Sequence, residues 1–257
     1  MILTSKLPNK VLSIKPWTIK QEKDVLLSID ESSTNKEKID LLYSSLIGSN
    51  PSLGYQEKLY ILLDTKSKIS TNSIQLTYTC DNCKQMTETS IDISESLIIE
   101  EPKEFILEFK SCFVKLQYSD TLEGSVILLN DIEAMQSITE PAKILEYIEA
   151  LEICEYDELV YFYSLLLENK PMTFNGQGKC LICNHKMHYR PSDSDLINTV
   201  TFITLKDYYT LLVDLRPQGF SIPEIENLMP FELELIVQTL NAKNTKKSGD
   251  LNGYTNQ

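Results

Sequence analysis

The sequence predicts an α+β fold, predominantly helical, with two β-hairpins from distant segments brought together at four cysteines. Three observations predict it. Apolar residues recur at helical spacing through the first sixty-odd residues, in the middle of the chain and toward its C-terminal side. The period switches to alternation around residues 74–93. Two C-x-x-C pairs, Cys80/Cys83 and Cys180/Cys183, each lie between strand-like flanks. At 257 residues and 42% hydrophobic, the chain can bury a core as one large domain or as two smaller ones.

Residues 1–16 carry Pro8 and Pro16 and no helical period, so they read as an extended arm. Residues 17–70 read as N-terminal helices. Thr18 opens the first, with Gln21 three residues on as in a capping box and Trp17, Val25, Leu26 and Ile29 as its apolar positions. Asn35 is the expected cap of a second helix to about Ile47, with Ile39, Leu42, Tyr43 and Leu46 on one face and Gly48 as its stop. A third covers Tyr55 to Leu63.

Residues 71–119 read as the first cysteine-bearing hairpin and further strands. Ile74, Leu76 and Tyr78 alternate into Cys80, and Thr87, Thr89, Ile91 and Ile93 alternate out of Cys83. Phe105 to Phe109 and Phe113 to Tyr118 form a second pair turning at Lys110 and Ser111. Residues 120–170 read as an inserted helical region, with Pro141 in a first turn and Ile144, Leu145, Ile148 and Leu151 on a buried face. Residues 171–191 form the second hairpin, Met172 to Phe174 leading through Gly176 and Gly178 to Cys180, and Lys186 to Tyr189 leaving. Residues 192–242 are C-terminal helices: one bearing Leu205, Tyr208, Tyr209, Leu211 and Leu212, a short one opened by Ser221-x-x-Glu224, and a last from Phe231 to Leu240. Residues 243–257, nearly without large apolar side chains, read as a disordered tail.

Lys+Arg total 24 against 37 Asp+Glu, a net charge of −13, so a phosphate backbone meets repulsion and nucleic acid is not an expected partner. The N-terminus lacks the apolar core of a signal peptide and no later run approaches a bilayer span, so a soluble, intracellular protein with no membrane partner is expected. In a reducing compartment, paired cysteines favour metal over disulfides.

Four thiolates in a tetrahedron suit zinc, and a C-x-x-C turn presents two of them together. Cys80, Cys83, Cys180 and Cys183 are therefore the expected ligands of one structural zinc ion, making a zinc-ribbon-like knuckle pair. Residues 84–179, 96 in number, separate the two pairs, far more than in a compact module. That interruption is tolerable because loop closure costs only about 0.6 kcal/mol per doubling of length, against about 10 kcal/mol or more from structural zinc. Three alternatives stand beside this reading: a redox pair, a self-contained site of Cys180 and Cys183 with His185 and His188, and four unrelated thiols. Cys112 and Cys154 are expected to be buried apolar fillers.

Three stretches, LPNKVLSIKPWTIKQEKDVL, GKCLICNH and FITLKDYYTLLVDLRPQGFSIPEIENLMPFELELIVQTL, together resemble the baseplate hub proteins and hub assembly factors of T4-like bacteriophages. The resemblance implies a non-enzymatic structural or assembly protein of a contractile tail, with other baseplate or hub proteins as partners. It places the protein in the virion baseplate, or in the host cytoplasm during assembly. It would have the four cysteines hold the metal and Met229, Pro230, Phe231 and Glu232 start a packing helix; where the family's run continues with arginine, this chain has Leu233. An assembly chaperone absent from the mature virion is one alternative, a zinc-ribbon adaptor in transcription or replication another.

No G-x-S-x-G, H-E-x-x-H or P-loop occurs, and the two histidines lie beside one cysteine pair, so neither an enzyme nor a small-molecule substrate is expected. Tyr156, Tyr161, Tyr163, Tyr208 and Tyr209 admit two readings, interface anchors or half-buried core.

Overall fold

The computed structural model describes residues 2–30, 32–50, 52–70, 73–110, 112–119, 122–129, 137–201 and 203–251. The chain divides into two compact units: residues up to Ile98 together with those from Phe174 onward form unit 1, and Ile99–Thr173 form unit 2.

Unit 1 begins not with a lone extended arm but with an antiparallel hairpin, β1 (Leu3–Leu7) and β2 (Lys10–Ile14). Its turn falls at Pro8-Asn9, a pair suited to a tight reversal, and Leu7 and Ile14 point into the core. Helix α1 (Ile19–Ser28) has the expected Thr18/Gln21 capping box. Helix α2 (Asn35–Leu46) is capped by Thr34 rather than Asn35, because Thr34 has Glu37 three residues on to close the box. Ile39, Leu42, Tyr43 and Leu46 are buried as the spacing requires. Helix α3 (Tyr55–Ile69) runs two turns beyond Leu63, burying Ile69 and the aliphatic length of Lys66.

The first cysteine-bearing hairpin is β3 (Ser73–Thr79) with β4 (Met86–Asp92), in register Ile74↔Ile91 and Tyr78↔Thr87. A single turn, α4 (Ile93–Ser96), follows, and the chain leaves along β5 (Leu97–Ile99). Unit 2 is built on an antiparallel sheet of β6 (Glu104–Glu108), β7 (Phe113–Gln117), β8 (Val126–Leu129) and β9 (Ser137–Ile138), in that order. A turn of helix, α5 (Leu122–Ser125), precedes β8, and α6 (Pro141–Ala150) and α7 (Ile153–Glu168) pack on the sheet.

Two expectations are corrected here. Val126–Leu129 is a strand, not helix: Leu116↔Val126 and Val114↔Leu128 pair it to β7, and its apolar run is buried on that sheet. The strands at residues 104–117 belong with these helices rather than with the first hairpin, because one core of Leu107, Val114, Leu116, Ile144, Leu159 and Leu166 joins them. Pro141 does take the first helical position, and Ile144 and Ile148 are buried, but Leu145 is exposed. Cys112 is half-buried against this core, while Cys154 is exposed, so only the former packs as a filler. The turn residue Ser111 and residues 120–121 and 130–136 of the expected helical region lie outside the described residues.

The chain re-enters unit 1 along β10 (Met172–Phe174), which is separate from the second cysteine-bearing hairpin of β11 (Gly176–Lys179) and β12 (Lys186–Tyr189). Helices α8 (Asp193–Asn198), α9 (Leu205–Leu215) and α10 (Ile222–Asn227) each open on a capping box, at Ser192, Thr204 and Ser221. Helix α11 (Pro230–Leu251) extends over the first part of the expected disordered tail, the remainder of which, 252–257, lies outside the described residues. Leu233 is wholly buried in a cluster with Ile19, Ile203, Tyr208, Leu215 and Ile225, an environment suited to leucine and not to arginine.

The two ends of unit 1 are stitched by polar contacts. Ile19 donates its N–H to the Leu228 carbonyl at 2.9 Å. The buried Glu22 carboxylate accepts from the Trp17 indole at 2.6 Å and from the Ile203 N–H at 3.2 Å. Among the described residues, no helix is long and apolar enough to cross a membrane.

Candidate metal centre

Each hairpin carries the same turn. Thr79↔Met86 and Lys179↔Lys186 are the last paired residues of their ladders, and six residues close each reversal. Cys80 donates its N–H to the Gln85 carbonyl at 2.9 Å, and Lys84 donates to the Cys80 carbonyl at 2.8 Å. In the second hairpin Cys180 donates to His185 at 2.9 Å and Asn184 to Cys180 at 2.9 Å. Lys84 and Asn184, each following the second cysteine of its pair, have φ of 59° and 61°. Such left-handed backbone is a strained choice for lysine and an easy one for asparagine.

The two turns face each other within unit 1. Gly176 and Gly178 permit it: a Cβ on Gly176 would lie 2.7 Å from the Ile91 side chain, and one on Gly178 would lie 2.8 Å from the Tyr189 ring and 3.3 Å from Thr89 Oγ1. The absent side chains let the second hairpin lie against β4 of the first.

As a result the four sulfurs all lie within 4.8 Å of one another, with Cys80 to Cys183 and Cys83 to Cys180 each at 3.7 Å. A disulfide needs about 2.05 Å, and all four thiols are free. A tetrahedron with metal–sulfur bonds of about 2.3 Å has edges of about 3.8 Å, so the observed separations fit a single ion coordinated by the four sulfurs. Cys80 and Cys180 are buried and Cys83 and Cys183 half-buried.

The electrostatics complement this geometry. The Asn82 side-chain amide, 3.6 Å from Cys183 Sγ, together with the His185 backbone N–H, holds the Cys183 thiol down at about 6. At Cys83 the Gln85 backbone N–H also favours the thiolate, but burial and the sulfurs of Cys183, Cys180 and Cys80 outweigh it and push that thiol up to about 12. The thiolate is favoured at Cys183 and resisted at Cys83, and a divalent cation among the sulfurs would relieve that resistance. Ile182 directs its N–H toward Cys180 Sγ at 3.4 Å.

All four cysteines singled out by spacing are brought together. His185 and His188 are exposed and stand outside the sulfur group, and both pairs occupy hairpin turns rather than the helix start that a redox pair requires. Sequence reasoning missed Asn82 as a sulfur ligand's donor and the two glycines as spacers. The G-x-G at residues 176–178, inside a strand and one residue short of Cys180, was the available signal for the latter.

Residues 1–189 match the family described as T4 bacteriophage base plate protein, a stretch that includes the N-terminal hairpin, all of unit 2 and both cysteine turns. No curated protein and no solved structure matches the chain.

Proposed function

The chain belongs to the T4 bacteriophage base plate protein family, and from that premise we propose that it is a non-enzymatic hub component or hub assembly factor of a contractile phage tail, stabilised by a structural zinc ion on Cys80, Cys83, Cys180 and Cys183. Membership supports a structural role in the phage baseplate, with other baseplate proteins as partners and the virion tail as its place. The observation that carries the metal is the separation of the sulfurs, 3.7 Å across each inter-hairpin pair, close to a tetrahedral edge. Four thiolates fill the coordination shell and leave no position for substrate or water, as in sites whose work is to hold a fold together.

In this reading the ion locks segments at residues 80–83 and 180–183, so that unit 2 is carried as an insertion between two pinned hairpins. Elemental analysis of the purified protein tests it: about one equivalent of zinc is expected, and less than half an equivalent in the wild type, or undiminished zinc in Cys180→Ser, overturns it. Quantitative mass spectrometry of mature particles separates the two roles. A hub component is present at fixed copy number, and an assembly factor is absent.

A further inference from the structure

The net charge is unevenly shared. Unit 2 holds 16 acidic residues against 5 lysines, net −11, whereas the rest of the chain holds 21 acidic and 19 basic residues, net −2. Within this acidic unit, α7 buries Leu159 and Leu166. It nevertheless leaves Ile153, Tyr156, Val160 and Leu167 exposed by 81%, 43%, 38% and 37%. At 3.6 residues per turn these four fall within an arc of about 60° and run about 21 Å along the helix. Their spacing of three, four and seven residues is that of a helix seam. Asp157 and Glu168, both exposed, follow the solvent edge of the stripe. Single exposed apolar residues are ordinary, but an aligned row of four large ones marks a contact surface.

The charge decides what kind of partner suits it. A second copy would bring net −11 against net −11 and oppose Asp157 and Glu168 with further carboxylates, and nucleic acid would be repelled in the same way. We propose that the α7 stripe docks an amphipathic α-helix of another protein, one with an apolar seam at three- and four-residue spacing and Lys or Arg along its flanks. The inference goes beyond the zinc reading and does not depend on it, because neither cysteine pair lies in unit 2.

Fluorescence anisotropy with the full chain tests it. The probes are two labelled synthetic helical peptides of about 21 residues sharing one leucine seam, the first flanked by lysines and the second by glutamates. The lysine peptide should bind, and the glutamate peptide should bind about tenfold more weakly or worse. Val160→Asp should weaken the lysine peptide by about tenfold or more with the melting temperature unchanged. Ile153→Asp, at the most exposed position of the stripe, should do the same and guards against a folding defect at residue 160. The proposal is overturned if the lysine peptide fails to bind, or if both variants bind it within about twofold of wild type. It is equally overturned if sedimentation shows a dimer that either variant dissociates, since a second copy would then occupy the stripe.

Discussion

The rings of Tyr78 and Tyr189 meet edge to face with centroids 4.4 Å apart and an interplanar angle of 74°, so the strand entering one C-x-x-C turn packs directly on the strand leaving the other. Gly178 makes room for the second ring. Gly178→Ala forces a methyl against Tyr189 and Thr89 and is expected to lower stability by about 1–3 kcal/mol, as overpacking does. Thermal or denaturant unfolding measures it, and an unchanged transition contradicts so close a packing of Tyr189 and Thr89 over Gly178.

Metal removal should act on the whole of unit 1. A strong chelator is expected to lower the melting temperature of the wild-type protein, because binding energy for an ion held only by the native state is folding energy. Cys80→Ser protein, missing one ligand, should melt lower from the start and respond little to the same chelator. An equal chelator response in both proteins would count against the four-sulfur site.

Lys84 sits at φ 59° directly after Cys83. Lys84→Val is expected to destabilise by about 1–2 kcal/mol, since a β-branched side chain fits left-handed backbone poorly. Lys84→Gly should change stability by less than about 1 kcal/mol and in the stabilising direction, relief of strain being partly offset by the freer unfolded chain. At Asn184, which has the same geometry and a better-suited residue, the glycine substitution should gain less. Paired denaturant titrations of the three variants give the ordering.

Lys66 is buried on α3 with its ammonium directed at the carbonyls of Thr199 and Thr201. Burial pushes its pKa down from 10.5 to about 8, with the nearby Glu22 carboxylate opposing. Below pH 8 both folded and unfolded chains carry the proton and the penalty of burying the charge is present in full. Between about 8 and 10.5 the unfolded chain binds more protons, so stability rises with pH. From pH 8 to 9.5 wild type should gain on the order of 2 kcal/mol relative to Lys66→Met, a difference in which the tyrosine and cysteine titrations common to both proteins cancel. Parallel slopes for the two proteins would show that the lysine is solvated.

Much of this architecture was legible because its signals are local. Capping boxes at Thr18/Gln21 and Ser221/Glu224 opened helices where the sequence placed them, and the alternation around the first cysteine pair matched the register Ile74↔Ile91. The misses are of two kinds, caps within reach of the sequence and pairings that are not. Asn35 is a good cap by type, but Thr34 wins because Glu37 completes its box. The same device with aspartate, Ser192/Asp195 and Thr204/Asp207, opens α8 and α9. Val126–Leu129 is apolar throughout, a run that periodicity cannot assign between helix and strand, and pairing with β7 settles it. At the candidate site the four sulfurs were identifiable from repeated spacing, whereas the glycines that let the hairpins approach depend on a partner 80-odd residues away in sequence. The G-x-G in the strand signals a close approach there, but nothing local names Ile91 or Thr89 as what approaches.

The bonds from Ile19 to Leu228 and from Glu22 to Ile203 set an order of events during translation. Unit 2 is continuous from Ile99 to Thr173, so every part of its sheet and helices has left the ribosome before Leu228 is made. Helix α1 meets these partners only once the segments around Ile203 and Leu228 are made, and the inserted unit is finished before the unit that receives it can close.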